Sequence, residues 1–349
     1  MRRLLMMMVA GLVWVAAAQA ASFDCAMASA KVEKMICENR IVSSLDENVD
    51  LAYLRALERA DDRQKVTQEQ RAWLKNDRNT CPDTECLIHS YANREDVLNA
   101  ISTHKCYWLE PPRKDSAGKR PPVESICHDL EKNLNQFCNQ PPMVCGLKIS
   151  PKFSKQFTLP TWVPLDPQAN RMLIEEFLRA PNESFSKQGA DASWAEKQIK
   201  LNAAFAKKRI TFAQAQLDLY SFGKTQTAYR LNYGNCQADN PQLKDPARWG
   251  EAIHYPGIKI QYAPDIIRPL FREYFSMDDG SFNEVFLYEG KVYDYIMGGT
   301  VNPALGVPDD NQMVVNRHEK KIYKGESQTT LVMNNICFFN YQPVQDETK

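Results

Sequence analysis

The chain has 349 residues, of which 44% are hydrophobic and 25% charged, with 43 Lys and Arg balanced by 43 Asp and Glu. These values are typical of a globular protein of about two domains, so they exclude fibrous repeats and disorder over most of the chain. A formal net charge of zero excludes a general attraction to nucleic acid or to anionic lipid and leaves only local charged patches.

The first twenty residues have the pattern of a secretory signal peptide. Two arginines follow the first methionine, an apolar run extends from Leu4 to Ala18, and Ala18-Gln19-Ala20 fits a small-residue cleavage site. We expect cleavage before Ala21, because the run ends at Ser22, short of the roughly 20 apolar residues that a membrane anchor needs. The mature chain is therefore predicted to be soluble, periplasmic or secreted, and without a transmembrane segment. In such an oxidising compartment the ten cysteines can form up to five disulfides.

Residues 21–104 are predicted to form a small α-helical module. Ser44 with Glu47 and Thr67 with Gln70 match the capping box and are predicted to begin two helices. Asp83 is predicted to cap a last helix, and a short helix is expected at 32–37. Apolar residues at three- and four-residue steps mark the buried faces of the long helix and of the last one: Leu45, Val49, Ala52, Tyr53, Ala56 and Ala60, then Leu87, Tyr91, Arg94, Leu98 and Ile101.

Four cysteines of the module are predicted to tie its two ends together. Cys25 and Cys37 precede the long helix, and Cys81 and Cys86 follow its partner helix. Three pairings are possible; we favour Cys25 with Cys86 and Cys37 with Cys81. Neither a C-x-x-C spacing nor a nearby histidine indicates a metal site. Trp73 is expected to be a core anchor, because a small helical fold needs one large buried side chain.

Several short motifs follow one another through the module at characteristic spacings. They are Ser22-Phe23-Asp24-Cys25, Val32-Glu33-Lys34 with Ile36-Cys37, Leu45-Asp46 with Tyr53, Gln70-Arg71 with Trp73-Leu74, Arg78 with Cys81, and Cys86-Leu87 with Tyr91. In the order and spacing of Cys, Trp and Arg they resemble the LprI-type lysozyme inhibitor domain. The resemblance implies a bacterial protein of the periplasm or cell envelope that protects peptidoglycan from a lysozyme.

The charge of the module fits such a partner. Residues 21–104 carry 11 Lys and Arg against 15 Asp and Glu, whereas residues 105–349 carry 30 and 28. An acidic module is attracted to a cationic protein, and many lysozymes are cationic. The sequence therefore leaves room for one cationic protein partner at the N-terminal module.

Arg71, Lys75 and Arg78 are the candidate partner-binding residues. At i, i+4 and i+7 they are predicted to lie along one face of the third helix. There they could meet the two carboxylates that perform glycosidic chemistry in a lysozyme cleft. A structural role is the simpler interpretation for the two arginines. The carboxylates that could pair with them inside the module are Glu33, Asp46 and Asp50.

Residues 105–145 are predicted to be a proline-rich and cysteine-rich connector. Its four cations Arg113, Lys114, Lys119 and Arg120 are expected to form a solvated surface. A helix is expected from Val123 to Phe137. Cys106, Cys127, Cys138 and Cys145 are expected to link the connector to itself or to the next domain. The segments Ile126-Cys127, Asn133–Asn135 and Pro141–Cys145 resemble uncharacterised exported proteobacterial proteins and imply no activity.

Residues 146–349 are predicted to form a β-rich antiparallel domain of unknown function with two early helices, at 168–179 and 191–208. Strands are predicted at 210–220, 225–233, 283–288, 291–297, 312–317 and 329–341. Glu289-Gly290 fits a two-residue hairpin turn, and Cys236 is expected to pair with Cys337. The predicted fold class is α+β multidomain, with a small disulfide-tied helical module followed by this β-rich domain.

The sequence gives no indication of an enzyme or of a cofactor. It lacks the G-x-S-x-G, H-E-x-x-H, Walker and dinucleotide-binding motifs. The pairs Asp278-Asp279 and Asp309-Asp310 lie in turn-like contexts where aspartate is common. The aspartates near Gly223 and Gly280 lack the alternating carboxylates of a calcium loop. We therefore predict a protein without catalytic, cofactor-binding or metal-binding residues.

Two functions follow from these patterns. The first is an exported binding protein that inhibits a lysozyme by docking its helical module into the lysozyme cleft. The second is a cell-envelope interaction protein, in which the helical module is a scaffold and the β-rich domain binds a protein or glycan.

Overall fold

The computed structural model describes residues 21–101, 103–112, 114, 118–141, 143–179, 198–199, 201–221, 223–232, 236, 241–245, 258–262, 284–297, 312–322 and 329–342. It divides into two compact units. The helical unit runs to Ile101 and also contains residues 114–120; we call the described ones, Lys114 and 118–120, the strap. The second unit contains residues 102–113 and 121–349. The fold class is α+β, as predicted. The predicted signal peptide lies outside the described residues.

Four helices form the helical unit, in the predicted order. Two predicted helix starts are wrong, because Ser44 and Thr67 lie inside helices. The second helix is capped by Asn39 and the third by Asp62, whose side chains accept hydrogen bonds from first-turn amides. Asn and Asp cap a helix as well as Ser or Thr does, so a capping-box match does not exclude an earlier start. The helices are α1 (Lys31–Glu38), α2 (Arg40–Arg59), α3 (Arg63–Asn76) and α4 (Thr84–Asn99), with 3-10 turns at Cys25–Met27 and Arg78–Thr80.

The predicted apolar faces meet in the core of the helical unit. Val49, Ala52 and Ala56 of α2 are buried, and so are Leu87 and Leu98 of α4. They belong to one apolar cluster that also includes residues of α1 and α3. The helix α4 begins where predicted, since the carboxylate of its cap accepts a hydrogen bond from an amide of the first turn. Periodicity therefore identified the buried sides of these helices correctly.

The disulfides of the helical unit are local, which contradicts the favoured pairing. Cys25 bonds to Cys37, and Cys81 bonds to Cys86. The first links the opening 3-10 turn to α1, and the second closes the short loop before α4. The two ends of the unit are therefore joined by packing and polar contacts instead of by a cross-link.

The second unit contains two antiparallel sheets. Their strands are β1 (Tyr107–Leu109), β2 (Phe157–Thr158), β3 (Val163–Leu165), β4 (Thr211–Leu217), β5 (Gln226–Asn232), β6 (Ile258–Tyr262), β7 (Glu284–Tyr288), β8 (Lys291–Met297), β9 (Gln312–Ile322) and β10 (Thr329–Tyr341). The six-stranded sheet has the order β1-β10-β9-β8-β7-β2, and the four-stranded sheet has the order β3-β4-β5-β6.

Helices cover the outer faces of the two sheets. The helix α5 (Ser125–Leu134) packs on one face of the six-stranded sheet, while α6 (Arg171–Arg179) and the helical residues 201–206 pack on the four-stranded sheet. A further core lies between the two sheets. It contains Ala215, Leu217 and Ala228 from one sheet and Val285, Val292 and Ile296 from the other. Each of these strands alternates its side chains between two buried faces.

Six of the ten described strands lie at predicted positions. The β7–β8 hairpin turns at Glu289 and Gly290 as predicted, with φ angles of 50° and 79°. Positive φ at both positions defines the type I′ turn that matches the twist of a hairpin. The strands β1, β2, β3 and β6 were missed. The first three have only two or three residues each, too few for an alternating pattern to show, and β6 has five.

The disulfides of the second unit correct one prediction and confirm another, since the connector cysteines bond within the connector and to the β-rich domain as expected. Cys106 bonds to Cys138, Cys127 to Cys337 and Cys145 to Cys236, so the expected Cys236–Cys337 bond is not formed. Residues 105–113 and 121–145 are part of the second unit and supply its strand β1, its helix α5 and three of its disulfide links. The connector is thus largely built into the β-rich unit. The expected helix over Val123–Phe137 is α5 followed by a 3-10 turn.

Candidate functional site

A buried carboxylate organises the helical unit. Asp46 of α2 is 4% exposed, and its two oxygens accept hydrogen bonds from the Tyr91 hydroxyl and the Ser22 amide, each at 2.7 Å. Nη1 of Arg78 lies 3.6 Å from Oδ1 of the same side chain. Burial, together with the charge of Asp46, raises the pKa of Tyr91, which keeps its hydroxyl a donor. Three segments distant in sequence therefore converge on Asp46.

Trp73 is part of the core, as predicted. It is 9% exposed, and its indole Nε1 donates a hydrogen bond to Ser90 Oγ at 3.1 Å. The ring packs edge-on against Tyr91, and the guanidinium carbon of Arg94 lies 6.0 Å from its centre. Nε of Arg94 donates to the Gln70 side-chain oxygen at 2.8 Å, and burial lowers the pKa of Arg94. The inner side of α3 is thus fixed against α4 by one aromatic ring and two hydrogen bonds.

The three candidate partner-binding residues occupy two different environments. Arg71 and Lys75 are exposed on α3 and lie one helical turn apart. Arg78 lies beyond the end of α3, which stops at Asn76, and its side chain is 14% exposed against Asp46. The predicted row of three cations is therefore wrong, and the alternative interpretation of Arg78 as the partner of Asp46 is correct. Two exposed cations remain on one helix face.

The strap carries two cations onto an acidic pair on α2, Glu47 and Asp50, which we call the acidic face of α2. Nζ of Lys114 lies 2.7 Å from Glu47 Oε2, and Nη2 of Arg120 lies 3.0 Å from Glu47 Oε1 and 2.6 Å from Asp50 Oδ2. The prediction that the connector cations form a solvated surface is therefore wrong for Lys114 and Arg120. With the strap included, the helical unit (residues 21–101 and 114–120) has 14 Lys and Arg against 16 Asp and Glu.

A second polar cluster lies between the two sheets of the second unit. Asp294 of β8 is fully buried, with Oδ2 at 2.5 Å from Nε2 of His318 on β9. Asn316 faces Asp294 across the β8–β9 pairing and donates to its Oδ1 at 2.9 Å. The ring of Tyr220 lies edge-on to His318 at 5.8 Å. Burial and the charge of Asp294 raise the pKa of Tyr220 to about 12.

This cluster was not predicted, although the sequence contained a signal for it. Asp294 interrupts an otherwise apolar strand, with Val292, Tyr293, Tyr295 and Ile296 around it. A charged residue at the centre of such a strand needs a buried partner. Its partners follow about twenty residues later on another strand, so the sequence alone did not identify them.

Glu284 forms a separate buried ion pair in the second unit. Its Oε2 lies 3.2 Å from Nη2 of Arg230 on β5, and the guanidinium of Arg230 also lies over the ring of Trp162. Burial raises the pKa of Glu284 more than the charge of Arg230 lowers it. The carboxylate form is therefore less favourable in the folded chain than in the unfolded chain.

A pH dependence of stability follows from Glu284. A folded-state pKa above the unfolded value contributes stability at low pH, and this contribution is lost as the pH rises from about 4 toward the folded value. The Glu284→Gln variant lacks this titration. We expect the free energy of unfolding of the natural chain, relative to that of Glu284→Gln, to fall between pH 4 and pH 7 in urea titrations. A difference that is constant or rising over this range would contradict the assignment.

No metal centre is present among the described residues, since no three metal-ligating side chains come together within them. The carboxylate pairs Asp278-Asp279 and Asp309-Asp310 lie outside the described part of the chain. None of the described helices is long and apolar enough to cross a membrane. Five disulfides link all ten cysteines, which is typical of proteins that fold in an oxidising compartment.

No family model matches the chain, and comparison with curated proteins and with solved structures gives no match. The resemblance of the helical module to the LprI-type domain thus depends on the sequence motifs alone.

Proposed function

We propose that the chain is an exported bacterial binding protein that inhibits a lysozyme by inserting the exposed face of α3 into the substrate cleft. The observation that carries this proposal is the pair Arg71 and Lys75, one turn apart and exposed on a helix whose other side is fixed by Trp73. Because the helix backbone that carries them is already ordered, only the side chains of these two cations lose conformational freedom when they bind. Their chemistry suits a cleft that holds two carboxylates.

The rest of the helical unit supports attraction to a cationic enzyme. The unit has a net negative charge even with the strap included, and opposite net charges accelerate the encounter of two proteins. The two exposed cations then provide the local contact, while the surrounding acidic surface provides the long-range attraction. This division of roles also predicts that inhibition weakens as salt is added.

A peptidoglycan-clearing assay tests the proposal. We expect purified mature protein, titrated into cationic lysozymes of several classes, to slow clearing in a saturable manner with at least one of them. No slowing by any of them at a large molar excess would contradict the proposed function.

Charge reversal at α3 tests the site. We expect Arg71→Glu/Lys75→Glu to raise the concentration needed for half-inhibition at least about thirtyfold, since lost contacts between cations and buried carboxylates cost about 2 kcal/mol or more. The control Lys34→Glu reverses an exposed cation on α1 and should change it by a few-fold at most. Thermal unfolding confirms that each variant is folded. Equal effects of the site variant and the control would exclude α3 as the docking face.

A further inference from the structure

The strap contacts α2 through side chains of opposite charge. The resemblance to the LprI-type domain does not imply this contact. Lys114 and Arg120 are separated by five residues and together reach both carboxylates of the acidic face of α2. Lys114 also donates to the carbonyl oxygen of Ala21 at 3.2 Å. The four charged side chains are 18% to 30% exposed, so water still reaches the contact.

Partial exposure sets the strength of this contact. Ion pairs that water reaches contribute about 0.2 to 1 kcal/mol each, so the strap is held by an energy that a competing ligand can exceed. The part of α2 that carries the acidic face is anchored to the core. Asp46, next to Glu47 in α2, is buried and hydrogen-bonded to Tyr91 and Ser22. A displaced strap would therefore leave two carboxylates in place, about one helical turn apart.

We propose that the strap is an intramolecular competitor that covers the acidic face of α2, and that a basic segment of a protein partner displaces it. The strap itself displays the chemistry that this face accepts, an ammonium and a guanidinium on two neighbouring carboxylates. The partner is a protein segment in which Lys or Arg side chains are close enough to contact both. The inference extends the proposed function, because a cationic lysozyme is one such partner.

Binding of an octalysine peptide to the full mature chain tests the inference. We expect Lys114→Ala/Arg120→Ala to raise the affinity about tenfold, because about 1.4 kcal/mol of competing ion-pair energy is removed. The control Lys34→Ala/Lys65→Ala removes two exposed cations of the same unit and produces the same net charge. It should raise the affinity by about twofold at most. Adding Glu47→Gln/Asp50→Asn to the strap variant should abolish the gain in affinity for octalysine, because the acidic face is then neutral.

The outcomes are decisive in either direction. An equal gain in the charge-matched control would show that net charge alone is responsible, and no gain in the strap variant would show that the strap does not compete. A strap variant that fails to fold would make the strap a structural clamp, which also overturns the inference.

Hydrogen exchange on the natural chain provides a test without mutation. We expect the amides of Lys114 and of residues 118–120 to exchange several-fold faster when octalysine is bound, because the peptide replaces the strap. Unchanged exchange at saturating peptide would place the peptide elsewhere and overturn the inference. Neither experiment uses a lysozyme, so failure of the proposed function in the clearing assay is distinguishable from failure of this inference.

Discussion

Replacement of Cys127 and Cys337 by alanine is expected to lower the free energy of unfolding of the second unit by about 5 kcal/mol. These cysteines are separated by 210 residues, and the loss of chain entropy on closing a loop of that length corresponds to about 5 kcal/mol. The bond links α5 to β10. Its removal leaves only the Cys106–Cys138 and Cys145–Cys236 bonds as cross-links in the unfolded second unit. Urea unfolding followed by near-ultraviolet circular dichroism provides the measurement.

The matched control is the pair Cys81 and Cys86. They are separated by only 5 residues, for which the same relation gives about 2 kcal/mol. We expect Cys81→Ala/Cys86→Ala to destabilise the helical unit by this smaller amount. Two results would contradict the pairing and its loop-length effect. One is a loss of unfolding free energy below about 1 kcal/mol for the Cys127/Cys337 variant, and the other is a larger loss for the control than for that variant.

Substitution of Asp46 by alanine is expected to have the largest effect in the helical unit, a loss of about 3 to 4 kcal/mol in the free energy of unfolding. Removing one partner of a buried ion pair costs this much, because the groups left behind lose a charged partner that compensated their burial. Here Tyr91 would keep a buried hydroxyl, and Arg78 would keep its charge beside an apolar core. Urea unfolding followed by far-ultraviolet circular dichroism measures the change.

Two further variants separate this effect from a general loss of charge. Asp96→Ala removes an exposed carboxylate of α4 and should change stability by no more than about 0.5 kcal/mol. Tyr91→Phe removes only the donor and should cost less than Asp46→Ala, with a smaller penalty once Asp46 is already absent. Equal losses for Asp46→Ala and Asp96→Ala would show that Asp46 does not organise the unit.

Local sequence patterns were sufficient to predict most of the regular structure. The stripe through Val49 and Ala56, the cap at Asp83 and the hairpin at Glu289-Gly290 all depend on residues within a few positions of one another. Helix and strand periodicity act over the same short range. The structure therefore agrees with these local predictions, although the two helix starts predicted from capping boxes at Ser44 and Thr67 are wrong.

Contacts between distant segments could not be predicted from spacing. The partners of Cys127 and Asp294 lie on other strands, 210 and 24 residues away, and nothing in the local sequence distinguishes them from other cysteines or polar residues. The same reason explains the strap. Its cations were expected in solvent because their carboxylate partners on α2 lie some seventy residues earlier.

The proposed docking face differs from the sequence prediction at one residue. Arg78 helps to fix Asp46, whereas Arg71 and Lys75 are exposed. A partner would therefore contact two cations of α3, with Arg78 acting only through the stability of the unit. The Arg78→Ala variant should accordingly affect unfolding more than it affects inhibition.

Equilibrium binding of the mature protein to a cationic lysozyme, measured with and without a chitooligosaccharide that fills the substrate cleft, tests the central claim most directly. The proposed function predicts saturable binding that the oligosaccharide prevents by competition and that Arg71→Glu/Lys75→Glu weakens at least about thirtyfold. Binding that the oligosaccharide leaves unchanged, or no binding to any cationic lysozyme, would contradict docking into the cleft.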